Sequence, residues 1–288
     1  MLTYEWLAES ITQFAGAING AYRLILQLLC ETGWFEQIVK SDMLEQPISA
    51  IKATAITLCA LFFLIDFFTK TLHLQWVTWE NVLMLFVKLV VAKVCVDNAE
   101  WIVMLIYNGF SSIVTTSLGD VQALEIIPTS NGVEMAQYFW LSKEQAQKLF
   151  PSPANTGFLN FEPMWLATKT EIIAVIMIIL LIICNIIVIG RVFELVIYTI
   201  IAPIPLSTLA CDGLTDIGKG FLKSYAAVCV QAIVLMIMFM AYSLLHGFLD
   251  NMTSLNAVTG WRGLIEVFTL ALGVMQSGSW AKRICGAM

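Results

Sequence analysis

The chain has 288 residues, of which 59% are hydrophobic and only 12% charged, about half the charge of an ordinary soluble domain. Fifteen basic and twenty-one acidic side chains are too few to solvate a surface of this size, and the mean hydropathy of +0.83 points to a chain whose surface faces lipid. Intrinsic disorder, a coiled coil and a secreted disulfide scaffold are excluded on the same grounds, which leaves a polytopic membrane protein. The net charge of -6 and the scattered lysines and arginines argue against a surface that coats nucleic acid. Cysteines 30, 59, 95, 184, 211, 229 and 285 contain no C-x-x-C pair, so reduced thiols are expected, with no metal site and no cofactor.

Leu7, Ile11, Phe14, Ile18, Tyr22, Ile25 and Leu29 recur at helical spacing and draw one apolar stripe, opposite Glu9, Gln13, Asn19 and Arg23. Such a helix lies on a membrane or against partners, or packs on its own bundle; the pattern leaves both open. With Glu5 and Glu9 and no basic n-region, this start does not read as a signal peptide and is expected to stay on the mature protein. A polar stretch from Glu31 to Pro47 closes an amphipathic N-terminal region, residues 1–50.

Ala53 to Thr69 approaches the ~20 residues needed to cross a bilayer, with Asp66 near its end and Lys70 four residues on. Trp76 and Trp79 precede a long apolar run from Val82 to Thr116 that carries Lys88, Lys93, Asp97 and Glu100; it is either one long helix or a hairpin turning at Asp97-Asn98. These runs make a first membrane region, 51–117. Residues 118–169, with prolines 128, 151, 153 and 163, read as an extramembrane segment in which Ser142 to Gln145 forms a capping box for a short helix stopped by Pro151.

The C-terminal membrane region, 170–288, opens with Ile172 to Gly190, free of Asp, Glu, Lys and Arg. Arg191 and Glu194 follow, then Leu195 to Ala210 with Ala202-Pro203-Ile204-Pro205. Residues 172–210 as one straight helix would measure about 58 Å, twice the hydrocarbon thickness, so a break or hairpin is required. Ser224 to Leu249 is a further span interrupted by Gln231 and His246, and a weaker run, Leu264 to Met275 around Glu266, leads to Ser277 through Arg283. Eight of the nine tryptophans lie in amphipathic segments or near the ends of apolar runs, where interfacial anchoring places them. The architecture is therefore all-α, a membrane helix bundle with about five to seven membrane segments.

No nucleophile motif, Walker A, H-E-x-x-H or dinucleotide turn is present, and His73 and His246 stand in no ligand spacing, so no enzymatic activity is expected. The informative residues are the ionisable ones inside apolar runs, which cost a few kcal/mol each to insert and so face a bundle interior or a water-filled path. These are Asp66, Lys88, Lys93, Arg191 and Glu194. Spacing suggests local pairs, Asp66 with Lys70, Lys93 with Asp97 and Arg191 with Glu194. Lys88 has no acid within four residues and is the best single candidate for a polar interior or an inter-subunit contact. Pro203 and Pro205 remove backbone donors and mark either a packed kink or a hinge beside a passage.

The span with Arg191, Phe193, Glu194 and Ala202-Pro203-Ile204-Pro205, followed by Ile217-Gly218-Lys219-Gly220 and Phe221, resembles the TrbL-like polytopic membrane subunit of type IV secretion (conjugation) systems, Gram-positive form. The resemblance extends over most of the chain, to the closing Ser279-Trp280-Ala281-Lys282-Arg283. It implies a non-enzymatic, multi-pass subunit of the cell membrane that assembles with itself as a homo-oligomer and with other secretion subunits and their ATPases. It further implies transient contact with single-stranded DNA and its relaxase. The competing readings are a small-solute or ion transporter, with Asp66, Arg191 and Glu194 at a midplane site, and a structural scaffold; the absence of internal repeats weighs against the transporter. The N-terminal region and residues 118–169 are expected outside the cytoplasm, with the loop after Lys70 inside.

Overall fold

A computed structural model describes residues 4–30, 33–72, 79–118, 125–127, 129–139, 141, 143–149, 162–252 and 262–287. The expected roles of His73, Trp76, Trp261, Ser142 and prolines 128, 151 and 153 fall outside the described residues. The described residues form helices without strands, as the composition predicts: α1 (Tyr4–Cys30), α2 (Gly33–Val39), α3 (Asp42–Leu72), α4 (Trp79–Asp97), α5 (Ala99–Leu118), α6 (Gly132–Tyr138), α7 (Lys143–Leu149), α8 (Glu162–Ile201), α9 (Pro203–Ser207), α10 (Thr215–Met252) and α11 (Arg262–Ile284). Four helical stretches among them are long and apolar enough to cross a membrane: Asp42–Thr71, Met164–Ala210, Asp212–Tyr242 and Leu264–Ile284. These helices mark the chain as a membrane protein.

The accessible surface agrees. Leu83, Phe86, Val87, Val90 and Val94 on α4, and Ile172, Ile179, Ile186 and Ile197 on α8, are all exposed. A water-soluble monomer does not present apolar faces this long. Hydroxyl side chains on these helices, such as Thr54, Thr69, Thr115 and Thr269, donate to carbonyls three or four residues back, which satisfies them without water.

Residues group into two compact units that are discontinuous in sequence, because the long helices α8, α10 and α11 contribute to both. The first unit comprises Met1–Cys30, Leu118–Ile189 and Leu235–Ser277. Within it the apolar stripe of α1 turns inward: Leu7, Ile11, Ile18, Ile25 and Leu29 are buried, Phe14 is half-buried, and Tyr22 meets Phe239 edge to face at 5.3 Å. Of the two readings the stripe permitted, packing within its own bundle is the one realised. Asn19, on the polar side of that stripe, turns inward instead of outward. Its amide donates to the Ile127 carbonyl at 2.9 Å and accepts the Ile127 N–H at 3.0 Å, which pins the segment before α6 onto α1. Arg23 and Glu125 add an ion pair at 3.1 Å, and Thr129 donates to the same carboxylate through its backbone and its hydroxyl. Partial burial opposes ionisation of Glu125, but the Thr129 hydrogen bonds and the Arg23 guanidinium outweigh it and hold the carboxyl below its usual range.

The second unit comprises Glu31–Ser117, Gly190–Val234 and Gly278–Met288. Here α3 and α4 run antiparallel, since Cys59 shares a core with Ala92 while Phe63 meets Phe86 at 5.7 Å. The run 82–116 is neither an unbroken helix nor a hairpin with a loop. A single residue, Asn98, separates α4 from α5; its N–H still donates to Val94 and its carbonyl still accepts from Ile102, so the break is confined to one position. The run 172–210 also resolves into a break. The helix passes through Arg191 and Glu194 without interruption and ends at Ile201, beyond which α9 and two 3-10 turns, Thr208–Ala210 and Asp212–Leu214, reverse the chain into α10. Ala202 keeps helical angles, but Pro203 and Pro205 have no N–H to extend the ladder. Residues 162–169, expected in the extramembrane segment, belong to the first turns of α8.

Candidate functional site

The second unit holds all of the ionisable candidates. Its core brings together Val96 of α4, Ala99, Val103 and Tyr107 of α5, Leu195 of α8, Ala202 and Leu206 around α9, and Tyr225, Val228 and Cys229 of α10, with Phe35 of α2 against Tyr107. Close approach of the reversed chain to α10 depends on Gly218: a Cβ there would lie 2.9 Å from Leu209 Cδ2 and 3.0 Å from the Pro205 carbonyl oxygen. Pro203 is buried and Pro205 half-buried, and the candidate hinge packs against both α3 and α4.

Arg191 enters this core from α8. It is 8% exposed, and its Nε donates to the Val228 carbonyl of α10 at 3.0 Å. The expected pair with Glu194 is not formed. Among the described residues no carboxylate makes an ion pair with Arg191, because its side chain turns inward to the α10 backbone while Glu194 stays half-buried at the rim. Tyr225 is fully buried in the same core with Thr199 and Cys229 within its reach, and the indole Nε1 of Trp34, which packs against that core, has no hydrogen-bond partner among the described residues. A guanidinium with no carboxylate in ion-pair distance among the described residues thus brings one positive charge into an otherwise apolar core.

A second constellation lies where the reversed chain meets α3 and α4. The expected pair of Asp66 with Lys70 is present at 2.8 Å, with Asp66 buried. Lys70 reaches on to Asp212 at 2.6 Å, and Lys88 reaches the other Asp212 oxygen at 2.5 Å. Two lysines and two aspartates thus form one neutral chain, Asp66–Lys70–Asp212–Lys88, that ties the 3-10 turn of the connector to both helices of the α3–α4 pair. Lys88, which lacked any partner on its own helix, finds one 124 residues away. Lys93 shows the opposite outcome: it is exposed and makes no ion pair with Asp97 or any other described residue.

Asp212 is the residue of this site that sequence reasoning overlooked. It stood in a Gly-containing connector, Asp212-Gly213, where a polar residue is unremarkable; only its position directly after an apolar run, together with a Lys88 that had no acid within four residues, could have signalled it. Among the described residues no cluster of His, Cys, Asp and Glu has the arrangement needed to hold a metal ion. No family model, no curated protein and no solved structure matches this chain.

Proposed function

We propose that the chain is a multi-pass, non-enzymatic subunit of a translocation channel in the cell membrane, of the kind its TrbL-like sequence features imply. In this role it assembles with further copies of itself and with other type IV secretion subunits, whose ATPases supply the energy, and helps to pass single-stranded DNA with its relaxase. The observation that supports this reading is Arg191: an intramembrane helix keeps a buried guanidinium bonded to a backbone carbonyl, with no carboxylate in ion-pair distance among the described residues. Such residues are expensive in a membrane and are the default marker of a functional interior. A positive interior suits the passage or docking of an anion better than it suits a purely structural core.

A small-solute or ion transporter is the second reading, and the broken helix at Ala202–Leu214 is what favours it, because discontinuous helices form the sites of many transporters. A mating assay separates the two. Deleting the chain should abolish transfer of the conjugative element that encodes it, and supplying it in trans should restore transfer. Normal transfer in the deletion strain would contradict the proposal.

A further inference from the structure

In α10 no Asp, Glu, Lys or Arg occurs from Ser224 to Leu249, and Lys219 and Lys223 stand just before that stretch. In α11 none occurs from Val267 to Ala281, and Lys282 and Arg283 stand just after it. The two helices are antiparallel, since a Cβ at Gly273 would meet Met238 and one at Gly278 would lie 3.5 Å from Gln231 Nε2. The beginning of α10 and the end of α11 therefore point the same way. Counted from the Gln231–Gly278 contact at about 1.5 Å per residue, Lys282 and Arg283 lie roughly 6 to 8 Å along, Lys223 roughly 12 Å and Lys219 roughly 18 Å.

All four cations are exposed. Lys223, Lys282 and Arg283 make no ion pair among the described residues, and Lys219 only approaches the exposed Asp216 at 3.9 Å. Asp212, the other nearby carboxylate, is already taken by Lys70 and Lys88. Trp280 and Ile284 are exposed beside them. The combination is a charge-free helix pair, then an interfacial indole, then a band of exposed cations of which Lys219 alone has an acid within 4 Å among the described residues, drawn from two segments about sixty residues apart in sequence.

We propose that this patch docks anionic phospholipid headgroups of the cytoplasmic leaflet. Phosphates lie at the depth where a charge-free span ends, and basic clusters at that depth favour the anionic inner leaflet and orient a helix toward the cytoplasm. A single-stranded nucleic acid is the weaker candidate, since its binding surfaces interleave cations with several stacking aromatics, whereas here Trp280 is exposed and Phe221, between Lys219 and Lys223, packs edge to face on Tyr198. This inference stands apart from the proposed role in secretion and holds for any membrane protein with this patch.

The test uses the full chain reconstituted in phosphatidylcholine vesicles with trace spin-labelled phosphatidylglycerol or phosphatidylcholine. The electron-spin spectrum should show several-fold preferential association of the phosphatidylglycerol probe, shrinking in 1 M salt, where screening acts within about 3 Å. The combined change Lys219→Gln, Lys223→Gln, Lys282→Gln, Arg283→Gln should bring the two probes to equal association, whereas Lys219→Arg, Lys223→Arg, Lys282→Arg should keep the preference. Absence of preference in the native chain, its persistence in the glutamine variant, or its loss in the arginine variant would each overturn the proposal. So would binding of a fluorescent single-stranded oligonucleotide to native vesicles that the glutamine variant loses while its lipid preference is unchanged.

Discussion

Lys88 and Asp212 meet at 2.5 Å across 124 residues of chain, and that contact fixes where the irregular connector lies on the α3–α4 pair. Because Asp212 also receives Lys70, its replacement unpairs two ammonium groups from it at once, whereas replacement of Lys88 leaves Asp212 with Lys70.

Asp212→Asn should therefore lower stability more than Lys88→Gln, and Lys88→Gln should cost nothing further in the Asp212→Asn background. The side chains are a quarter to nearly half exposed, so the coupling should be modest, about 0.5 to 1 kcal/mol. Thermal unfolding of the purified singles and double, as a mutant cycle, measures it. Additive effects would mean that the residues do not act together.

Glycines two positions apart on α10 should respond in opposite ways. Gly218→Ala forces a methyl against Leu209 and the Pro205 backbone and should cost roughly 1 to 3 kcal/mol. At Gly220 nothing lies within 4 Å, so Gly220→Ala should gain up to about 1 kcal/mol from helix propensity. Unfolding midpoints of the two variants give the comparison directly.

Asn19→Leu should be costly although Asn19 lies on a surface-like position of the α1 pattern. It would leave the N–H and C=O of buried Ile127 without their partners, at roughly 1 to 3 kcal/mol for an unsatisfied group. Limited proteolysis after Glu125 should accelerate in parallel, and an unchanged digestion pattern would show that this contact does not hold the segment.

Glu125 gives the fold a pH dependence of known sign. Its carboxyl is held below its ordinary 4.5 in the folded chain, so its contribution is present above that value and is lost as pH falls through the lower folded value. The stability difference between the native chain and Glu125→Gln should be flat above about pH 5.5 and should vanish on further acidification. A difference that grows with acid would reverse the assignment.

The elements that the sequence made legible are those governed by local periodicity. The α1 stripe, the Asp66–Lys70 pair four residues apart and the need for a break in 172–210 all follow from spacing along one helix. What spacing cannot supply is a partner from elsewhere. Lys88 looked unpaired because its acid stands beyond α8, Asn19 looked like a solvent-facing residue because Ile127 was out of view, and Arg191 with Glu194 looked like a pair because three residues is a permissive interval. In each case the side chain found its partner on another segment of the chain, and Lys93 shows that a favourable interval is not sufficient either, since Asp97 four residues on does not capture it.

Arg191 tests the account most directly, since a buried ion without a carboxylate should contribute little to stability and much to function. Replacing such an ion by an apolar side chain of similar volume is often neutral or stabilising, so Arg191→Met should reach the membrane at native abundance. The decisive measurement is mating efficiency of Arg191→Met read beside an immunoblot of the membrane fraction. Loss of transfer at native abundance is the predicted result, and normal transfer at native abundance would contradict a functional, positively charged interior.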